Sequence, residues 1–161
     1  MLKKSFMDLY LSGIPIFKKL IDIGEWFLII LVGFLFPHPR ILLFPFTNIT
    51  GIILIIIGIW IHKLSHKAHP KAHRPKEEIE KLVTTGIYSK IRHPGYTGYI
   101  ICYFGVFLLF GFLSMLFPIL IFSYIFYDSA KKEESFLMNK FGQGYDDYMK
   151  KVPWRFIPKI F

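Results

Sequence analysis

Two polar segments contain the residue types that bind charged ligands, and each adjoins an apolar stretch. Residues 82–99 read LVTTGIYSKIRHPGYTGY, where the glycines and Pro94 predict a turn-rich approach to a helix beginning near Tyr96. Proline suits the first turn of a helix, and the unpaired backbone N–H groups of that turn attract a carboxylate or phosphate. Arg92 and His93 stand directly before Pro94 and strengthen this preference. The alternative is an ordinary basic helix start at a membrane surface.

The second polar segment covers residues 131–161, where a predicted helix runs on from an apolar stretch to about Lys140 and ends at Gly142. Acidic residues stand at its membrane-proximal end: Asp128, Glu133 and Glu134. Ionisable groups at that depth are costly unless they are paired, which makes them candidates for a functional role. The alternative is a solvated helix face, because Lys131 and Lys132 are direct neighbours.

The composition places both segments in a membrane protein. Of the 161 residues, 53% are hydrophobic and 19% aromatic, and the mean hydropathy is +0.45 with a formal net charge of +9. A soluble domain of this length cannot bury so much apolar surface, and disordered chains have the opposite composition. Basic loops beside a membrane explain the charge without a nucleic-acid partner. The single cysteine, Cys102, excludes an intrachain disulfide and a cysteine-cluster metal site.

The apolar stretches predict about four transmembrane helices. They are residues 26–36, residues 41–61, and a 96–127 run that is too long for one crossing and forms two spans joined by a turn near Gly111. Pro118 falls inside the fourth span, where neighbouring helices satisfy the carbonyl it leaves unpaired. Residues 5–23 predict an amphipathic helix in the membrane interface or, alternatively, the early part of the first span. No secretory signal peptide fits the start of the chain.

The distribution of basic residues predicts the orientation. Of the 20 lysines and arginines, only Arg40 falls between the first two spans, and the turn near Gly111 has none. The others lie in the N-terminal segment, in the 63–95 loop and after Asp128. By the positive-inside rule these segments, and therefore both termini, face the cytoplasm.

The predicted fold is an all-α polytopic membrane protein with one domain over residues 1–161. Its parts are residues 1–62 with the N-terminal helices and two spans, the cytoplasmic loop 63–95, the helical hairpin 96–130, and the cytoplasmic helix and tail 131–161. The loop and the tail meet at the two ends of the same hairpin, so a pocket there opens to the cytoplasm beside the lipid. This arrangement suits an enzyme with a lipophilic substrate from the bilayer and a water-soluble co-substrate.

The two segments together carry a family resemblance. RHPGYTG, preceded by LVTTGIY and followed one hairpin later by EESFLMNKFGQGYDDYMKKVPWRFIP, resembles the isoprenylcysteine carboxyl methyltransferases and the wider group that includes the phospholipid methyltransferases. The resemblance covers residues 80–158, whereas residues 1–79 match only as hydrophobic helices. It implies an integral membrane methyltransferase that uses S-adenosylmethionine.

The same resemblance implies the cofactor-binding residues. They are Lys81, Leu82, Val83, Tyr88, His93, Pro94, Gly95, Tyr96 and Glu133. Backbone N–H groups and His93 would hold the carboxylate of the cofactor, and Glu133 its amine or ribose hydroxyls. The sulfonium would lie against Tyr88 or Tyr96 through cation–π attraction.

The methyl acceptor is left open. Isoprenylcysteine methyltransferases have a substrate-contacting arginine four residues before the glutamate, where this chain has Ser129. Lys131, Lys132 or Arg155 are basic substitutes, and Glu134, Asp128 and Arg155 are the predicted catalytic residues. Transfer from a sulfonium needs alignment above all. A carboxylate acceptor needs no base, whereas an amine must lose a proton, for which Asp128, Glu134 and His93 are candidates. A lipophilic small molecule of another kind is a further possibility.

Other interpretations compete with the methyltransferase. His62, His66, His69 and His73 have i, i+4, i+7, i+11 spacing, which would suit zinc or iron on one helical face. Pro70 and Pro75 interrupt that helix, and no metal site is predicted. Membrane sterol reductases, which use NADPH, have a similar R-H-P pattern but are much longer. A non-catalytic scaffold would leave the polar segments unexplained.

Overall fold

A computed structural model describes residues 15–37, 39–41, 43–69 and 80–159. Its α-helices are α1 (Pro15–Leu35), α2 (Phe46–Ala68), α3 (Pro94–Phe110), α4 (Leu116–Phe141) and α5 (Gln143–Lys151). Short 3₁₀ helices cover Gly86–Ser89 and Leu113–Met115. The described residues contain no β-strand, only an isolated bridge between Arg40 and Phe112. The predicted helical class is therefore confirmed for this part of the chain.

Helix α1 is longer than the apolar stretch that predicted it. It begins at Pro15 and passes without a break through Asp22 and Glu25, so the predicted 26–36 segment is only its second half. Both acids have tyrosine partners on α3, because Tyr99 donates to Asp22 at 3.2 Å and Tyr103 donates to Glu25. Within residues 15–23 the structure contains the early part of α1, and not a separate helix. Residues 5–14 lie outside the described residues.

Helices α2 and α3 cross in antiparallel directions through glycines. A Cβ atom built on Gly58 would lie 2.6 Å from the carbonyl oxygen of Gly98, and one on Gly51 2.6 Å from that of Gly105. Close contact of this kind needs residues without side chains. α2 begins at Phe46, later than predicted, because Pro45 precedes it, and it continues past residue 61 to Ala68.

The turn between α3 and α4 falls at the predicted position. α3 ends at Phe110, and Gly111 has the left-handed φ of 71° that favours glycine at a helix end. Pro118 is the third residue of α4, so the N–H that it lacks would lie in the first turn, where α4 offers no acceptor. No neighbouring helix is therefore needed to satisfy a carbonyl left unpaired by this proline. α3 packs mainly against α2, and it also contacts α4, where the rings of Tyr96 and Phe126 are stacked.

The core lies between α1, α3 and α4. It consists of Ile29, Tyr103, Phe107, Phe112, Met115, Ile119 and Phe126. Around it the outer surface is apolar, and within the described residues two helices are long and apolar enough to cross a membrane: Phe46–Ala68, and Leu113–Phe141, which is α4 with the 3₁₀ turn before it. Only 17% and 33% of their most apolar windows are buried in the protein, so most of that surface is available to lipid. The finding supports membrane association.

Candidate functional site

A cavity lies where α1, α2, the 80–93 loop, α3, α4 and α5 approach one another. The cavity and its open mouth contain about 900 Å³ of empty space. All but one of the residues predicted to bind the cofactor line this cavity. They are Lys81, Leu82, Val83, Tyr88, His93, Gly95, Tyr96 and Glu133. The exception, Pro94, is fully buried at the start of α3.

The loop before α3 is fixed through Tyr88. Gly86, with a φ of 63°, starts the short helix Gly86–Ser89 that turns this side chain toward α2. The Tyr88 hydroxyl is 2.9 Å from Oγ of Ser65, and its carbonyl oxygen accepts from the Tyr148 hydroxyl at 2.7 Å. Burial raises the pKa of Tyr88 to about 12, so the phenol is neutral at physiological pH. The loop is therefore tied to both α2 and α5.

His93 connects the two adjacent glutamates of α4. Its Nε2 lies 3.1 Å from Oε1 of Glu134, and its Nδ1 lies 3.9 Å from Oε2 of Glu133. The Tyr96 hydroxyl donates to the same Glu133 oxygen at 3.3 Å, and the rings of His93 and Tyr96 are stacked. Glu133 is 25% exposed and faces the cavity, whereas Glu134 is buried.

Glu134 is the centre of an ion-pair cluster. Its carboxylate accepts from Arg92 Nε at 3.0 Å and from Arg155 Nε and Nη2 at 2.9 and 2.6 Å. It does not line the cavity, and its oxygens are already committed to cationic donors. The Glu134 carboxylate therefore links Arg92 to Arg155, and the predicted catalytic roles of Glu134 and Arg155 stay predictions. Asp128 also lies away from the cavity lining and pairs with Lys132 at 2.9 Å.

The C-terminal tail holds the start of α3. The N–H groups of Arg92 and His93 donate to the carbonyls of Trp154 and Arg155, both at 3.0 Å. Oγ1 of Thr97 donates to the carbonyl of Phe156 at 3.1 Å. These contacts, together with the pair between Arg155 and Glu134, fix the position of His93 at the cavity wall.

Sequence reasoning missed several residues of the cavity lining. The lining also includes three histidines whose spacing suggests metal ligands, His62, His66 and His69. The other lining residues that the sequence did not indicate are Asp22, Ser65, Tyr99, Leu137, Tyr145 and Tyr148. The i, i+3 spacing of Tyr145 and Tyr148 places both on one helix face and was a usable signal. Nothing local to α1 indicates that Asp22 faces this cavity, since that depends on tertiary packing.

The histidines do not form a metal centre in the described part of the chain. Nε2 of His62 and Nε2 of His66 are 3.0 Å apart, and the ring of His69 packs against Tyr88. His73 lies outside the described residues. Among the residues that are described, no group of three or more histidines, cysteines or acids could hold a metal ion.

Comparison with known proteins places this sequence in a family. The sequence model of a family described as phospholipid methyltransferase matches residues 46–144. The chain belongs to this phospholipid methyltransferase family. The match includes α2, the 80–93 loop, α3 and α4, and so extends further toward the N-terminus than the motif resemblance did. Of the cavity lining, only Asp22, Tyr145 and Tyr148 fall outside it.

Three relatives of the chain are named protein-S-isoprenylcysteine O-methyltransferases, one of them as a probable one. A protein-S-isoprenylcysteine O-methyltransferase of Schizosaccharomyces pombe is 42% identical over 73 residues, which are 45% of this chain and 31% of the relative. The enzyme of that name from Saccharomyces cerevisiae is 32% identical over 130 residues, 74% of this chain and 54% of the relative. A probable one from Oryza sativa subsp. indica is 33% identical over 123 residues, 69% of this chain and 64% of the relative. The chain thus spans less than two thirds of the length of these relatives.

Proposed function

We propose that this chain is an integral membrane methyltransferase that transfers a methyl group from S-adenosylmethionine to a lipophilic acceptor from the bilayer. The observation that carries the proposal is the single cavity that gathers nearly all residues implied by the family resemblance. Family membership and the O-methyltransferase names of the relatives support the reaction type. The apolar outer surface supports an acceptor that comes from the lipid bilayer.

The cavity has the chemical groups that S-adenosylmethionine requires. Lys81 and Arg92 provide positive charge for a carboxylate, and the Glu133 carboxylate can accept from an amine or a ribose hydroxyl. The rings of Tyr88, Tyr145 and Tyr148 provide flat apolar surface for a purine and a negative face for a cation. When bound, this co-substrate supplies an activated methyl group on a positively charged sulfur.

The residues around the cavity contribute binding and alignment. The Glu134 carboxylate is hydrogen-bonded to Arg92, His93 and Arg155. These bonds orient the imidazole of His93, which lines the cavity. Tyr96 holds the Glu133 carboxylate from the other side. Fixing the two reactants in line accelerates transfer from an already activated donor more than acid–base catalysis does. Ser129 is fully buried, so it does not replace the missing family arginine as a substrate contact.

A lipid acceptor has a route between α1 and α2. Asp22 of α1 and His62 and His66 of α2 line the cavity, so the cavity reaches the space between these helices. Apolar side chains are exposed on both helices near this level, namely Ile23, Phe27, Ile59 and Trp60. We place the cavity mouth and both termini on the cytoplasmic side, because the basic residues concentrate there.

Calorimetric titration with S-adenosylhomocysteine, using detergent-purified protein, tests the cofactor assignment. We expect the wild type to bind, and Glu133→Gln to weaken binding about tenfold because a charged acceptor is lost. Asp147→Asn is the matched control, since Asp147 is exposed on α5 and bonded to Gln143. Transfer of labelled methyl from S-adenosylmethionine into the lipid extract of membranes tests the reaction. A folded wild type that does not bind S-adenosylhomocysteine would overturn the proposal.

A further inference from the structure

An apolar groove lies between α3, α4 and the C-terminal tail, and it shares no lining residue with the cofactor cavity. With its open side it contains about 820 Å³ of empty space. Most of its lining is hydrophobic or aromatic, and this part consists of Ile100, Ile101, Tyr124, Tyr127, Phe156 and Ile157. Tyr124 and Ile157 are 68% and 47% exposed, so the apolar groove opens onto the surface that is available to lipid.

A basic groove continues from the apolar groove toward the C-terminal end of α4. Its polar lining consists of Lys131, Glu134, Ser135, Asn139 and Arg155. The two grooves meet at Tyr127, which lines the apolar one. Its ring centre lies 5.3 Å from the guanidinium carbon of Arg155 and 5.6 Å from Nζ of Lys131. The two grooves therefore form one surface with an apolar part and a cationic part.

The charge of the basic groove favours an anion. Of the described residues that line it, Glu134 alone is acidic, and its carboxylate is shared between Arg155 and Arg92. Lys131 adds a further positive charge at an exposed position. Ammonium and guanidinium groups bind phosphate through charge-assisted hydrogen bonds. A choline group finds less here, because the ring of Tyr127 already has two cations beside it.

The length of this surface along α4 matches one lipid molecule. Its residues recur at i, i+3, i+7, i+11 and i+14, which places them on one helix face: Tyr124, Tyr127, Lys131, Ser135 and Met138. At 1.5 Å per residue these positions span about 21 Å. One leaflet of a bilayer, with its head groups, is about 20 Å thick. A phospholipid along α4 therefore reaches both grooves at once.

We propose that this face of α4 binds one anionic phospholipid, with its phosphate in the basic groove and an acyl chain in the apolar groove. The lipid contacts Arg155, Phe156 and Ile157 of the tail, and so holds the tail against α3 and α4. The same tail carries the carbonyl groups that accept from the N–H groups of Arg92 and His93. The site lies outside the cofactor cavity and does not depend on which reaction the protein catalyses.

Titration of detergent-purified protein with two lipids, followed by native mass spectrometry, tests the head group. Dioleoylphosphatidylglycerol and dioleoylphosphatidylcholine have the same acyl chains and differ in net charge. We expect the wild type to bind the anionic lipid about fivefold more tightly, which is the effect of one basic contact at a membrane surface. Equal affinities, or a preference for phosphatidylcholine, would overturn the proposal.

Replacement of Lys131 locates this preference. We expect Lys131→Gln to bind phosphatidylglycerol about fivefold more weakly and phosphatidylcholine almost as the wild type does. Lys132→Gln is the matched control, because it removes the same charge from the next position, where the side chain pairs with Asp128 outside the basic groove. Both lysines are exposed, so both variants should fold. Wild-type affinity in Lys131→Gln, or an equal loss in Lys132→Gln, would contradict the assignment.

Tyr124→Ala tests the apolar groove. It removes part of the wall, so we expect weaker binding of both lipids alike. Phe117→Ala removes a similarly exposed aromatic side chain of α4 that does not line the groove, and it should bind both lipids as the wild type does. Unchanged lipid affinity in Tyr124→Ala would count against an acyl chain in this groove.

Inorganic phosphate distinguishes a lipid from a soluble anion, because it has the charge without the acyl chain. We expect phosphatidylglycerol to raise the midpoint of thermal unfolding of the wild type and inorganic phosphate to leave it nearly unchanged. An equal rise with both would assign the basic groove to a soluble anion and refute the lipid.

Discussion

Arg155 donates to both oxygens of the Glu134 carboxylate, from Nε at 2.9 Å and from Nη2 at 2.6 Å. The bond joins the C-terminal tail to α4, and Arg92 brings the start of α3 to the same carboxylate. Such paired, charge-assisted bonds are stronger and more directional than neutral ones. The cavity wall that holds His93 and Glu133 therefore depends on a carboxylate that lies outside the cavity.

Replacing Glu134 with glutamine should destabilise the whole site. The amide keeps the shape of the side chain but leaves Arg92 and Arg155 without their negative partner in a largely buried position. Loss of one member of a buried pair costs about 3 kcal/mol. We expect a clear fall in the midpoint of thermal unfolding, measured in detergent by tryptophan fluorescence. Asp146→Asn, which affects the surface contacts of Asp146 with Lys150 and Gln143, should leave the midpoint nearly unchanged. Equal midpoints for both variants would contradict the prediction.

The glycine crossing of α2 and α3 should not tolerate a methyl group. A Cβ atom at Gly58 would meet the Gly98 carbonyl oxygen at 2.6 Å as well as Sγ of Cys102, so the backbones must separate. We expect Gly58→Ala to lower the free energy of unfolding by about 1 to 3 kcal/mol.

Gly24→Ala is the matched control for this crossing. Apart from its chain neighbours and the nearby backbone of its own helix, no atom lies within 4 Å of a Cβ built there. The substitution should therefore be neutral or stabilising, because alanine favours helices. Both variants would be compared by thermal unfolding in one detergent. A Gly58→Ala protein as stable as Gly24→Ala would show that the helices are not held this closely.

Local signals predicted the parts of the structure that depend on neighbouring residues. Gly111 and Gly142 end helices because glycine adopts the backbone angles that other residues avoid. The sequence predicts that the two polar segments meet, because they stand at the two ends of a pair of consecutive apolar helices. In the structure Nδ1 of His93 lies 3.9 Å from Oε2 of Glu133. Pattern and spacing were sufficient for both.

Long-range pairings could not be predicted in the same way. The approach of Gly58 to Gly98 depends on how two helices cross, and neither glycine signals this alone. Asp22 is an acid in an apolar helix, and only packing against Tyr99 shows that it faces the cavity. Glu133 and Glu134 have different surroundings because adjacent helix positions point about 100° apart, so that one faces the cavity and the other the C-terminal tail.

The hydrogen bond from Tyr148 to the Tyr88 carbonyl should stabilise the loop at the cavity mouth. Tyr148→Phe removes only the hydroxyl and leaves the partly buried Tyr88 carbonyl without this donor, at a cost of about 1 kcal/mol. We expect weaker binding of S-adenosylhomocysteine, because Tyr88 and its neighbours line the cavity. Tyr124→Phe, at an exposed position on α4, is the control and should bind as the wild type does. Unchanged affinity in Tyr148→Phe would argue against a role for α5 in shaping the cavity.

His69 should make the protein sensitive to mild acid. Burial lowers the pKa of this imidazole, with the negative charge of Glu133 opposing the shift, so the folded state favours the neutral ring. In the unfolded chain His69 has the ordinary histidine pKa of about 6.5 and binds its proton at a higher pH. Stability is therefore complete above that value and falls as the pH drops toward the lower pKa of the folded state. Unfolding would be measured from pH 7.5 down to pH 5, a range that includes the ordinary histidine pKa of about 6.5. Over this range we expect His69→Gln to lose less free energy of unfolding than the wild type. Because the remaining histidines are common to both proteins, parallel curves for the two would show that His69 titrates alike in the folded and unfolded chains.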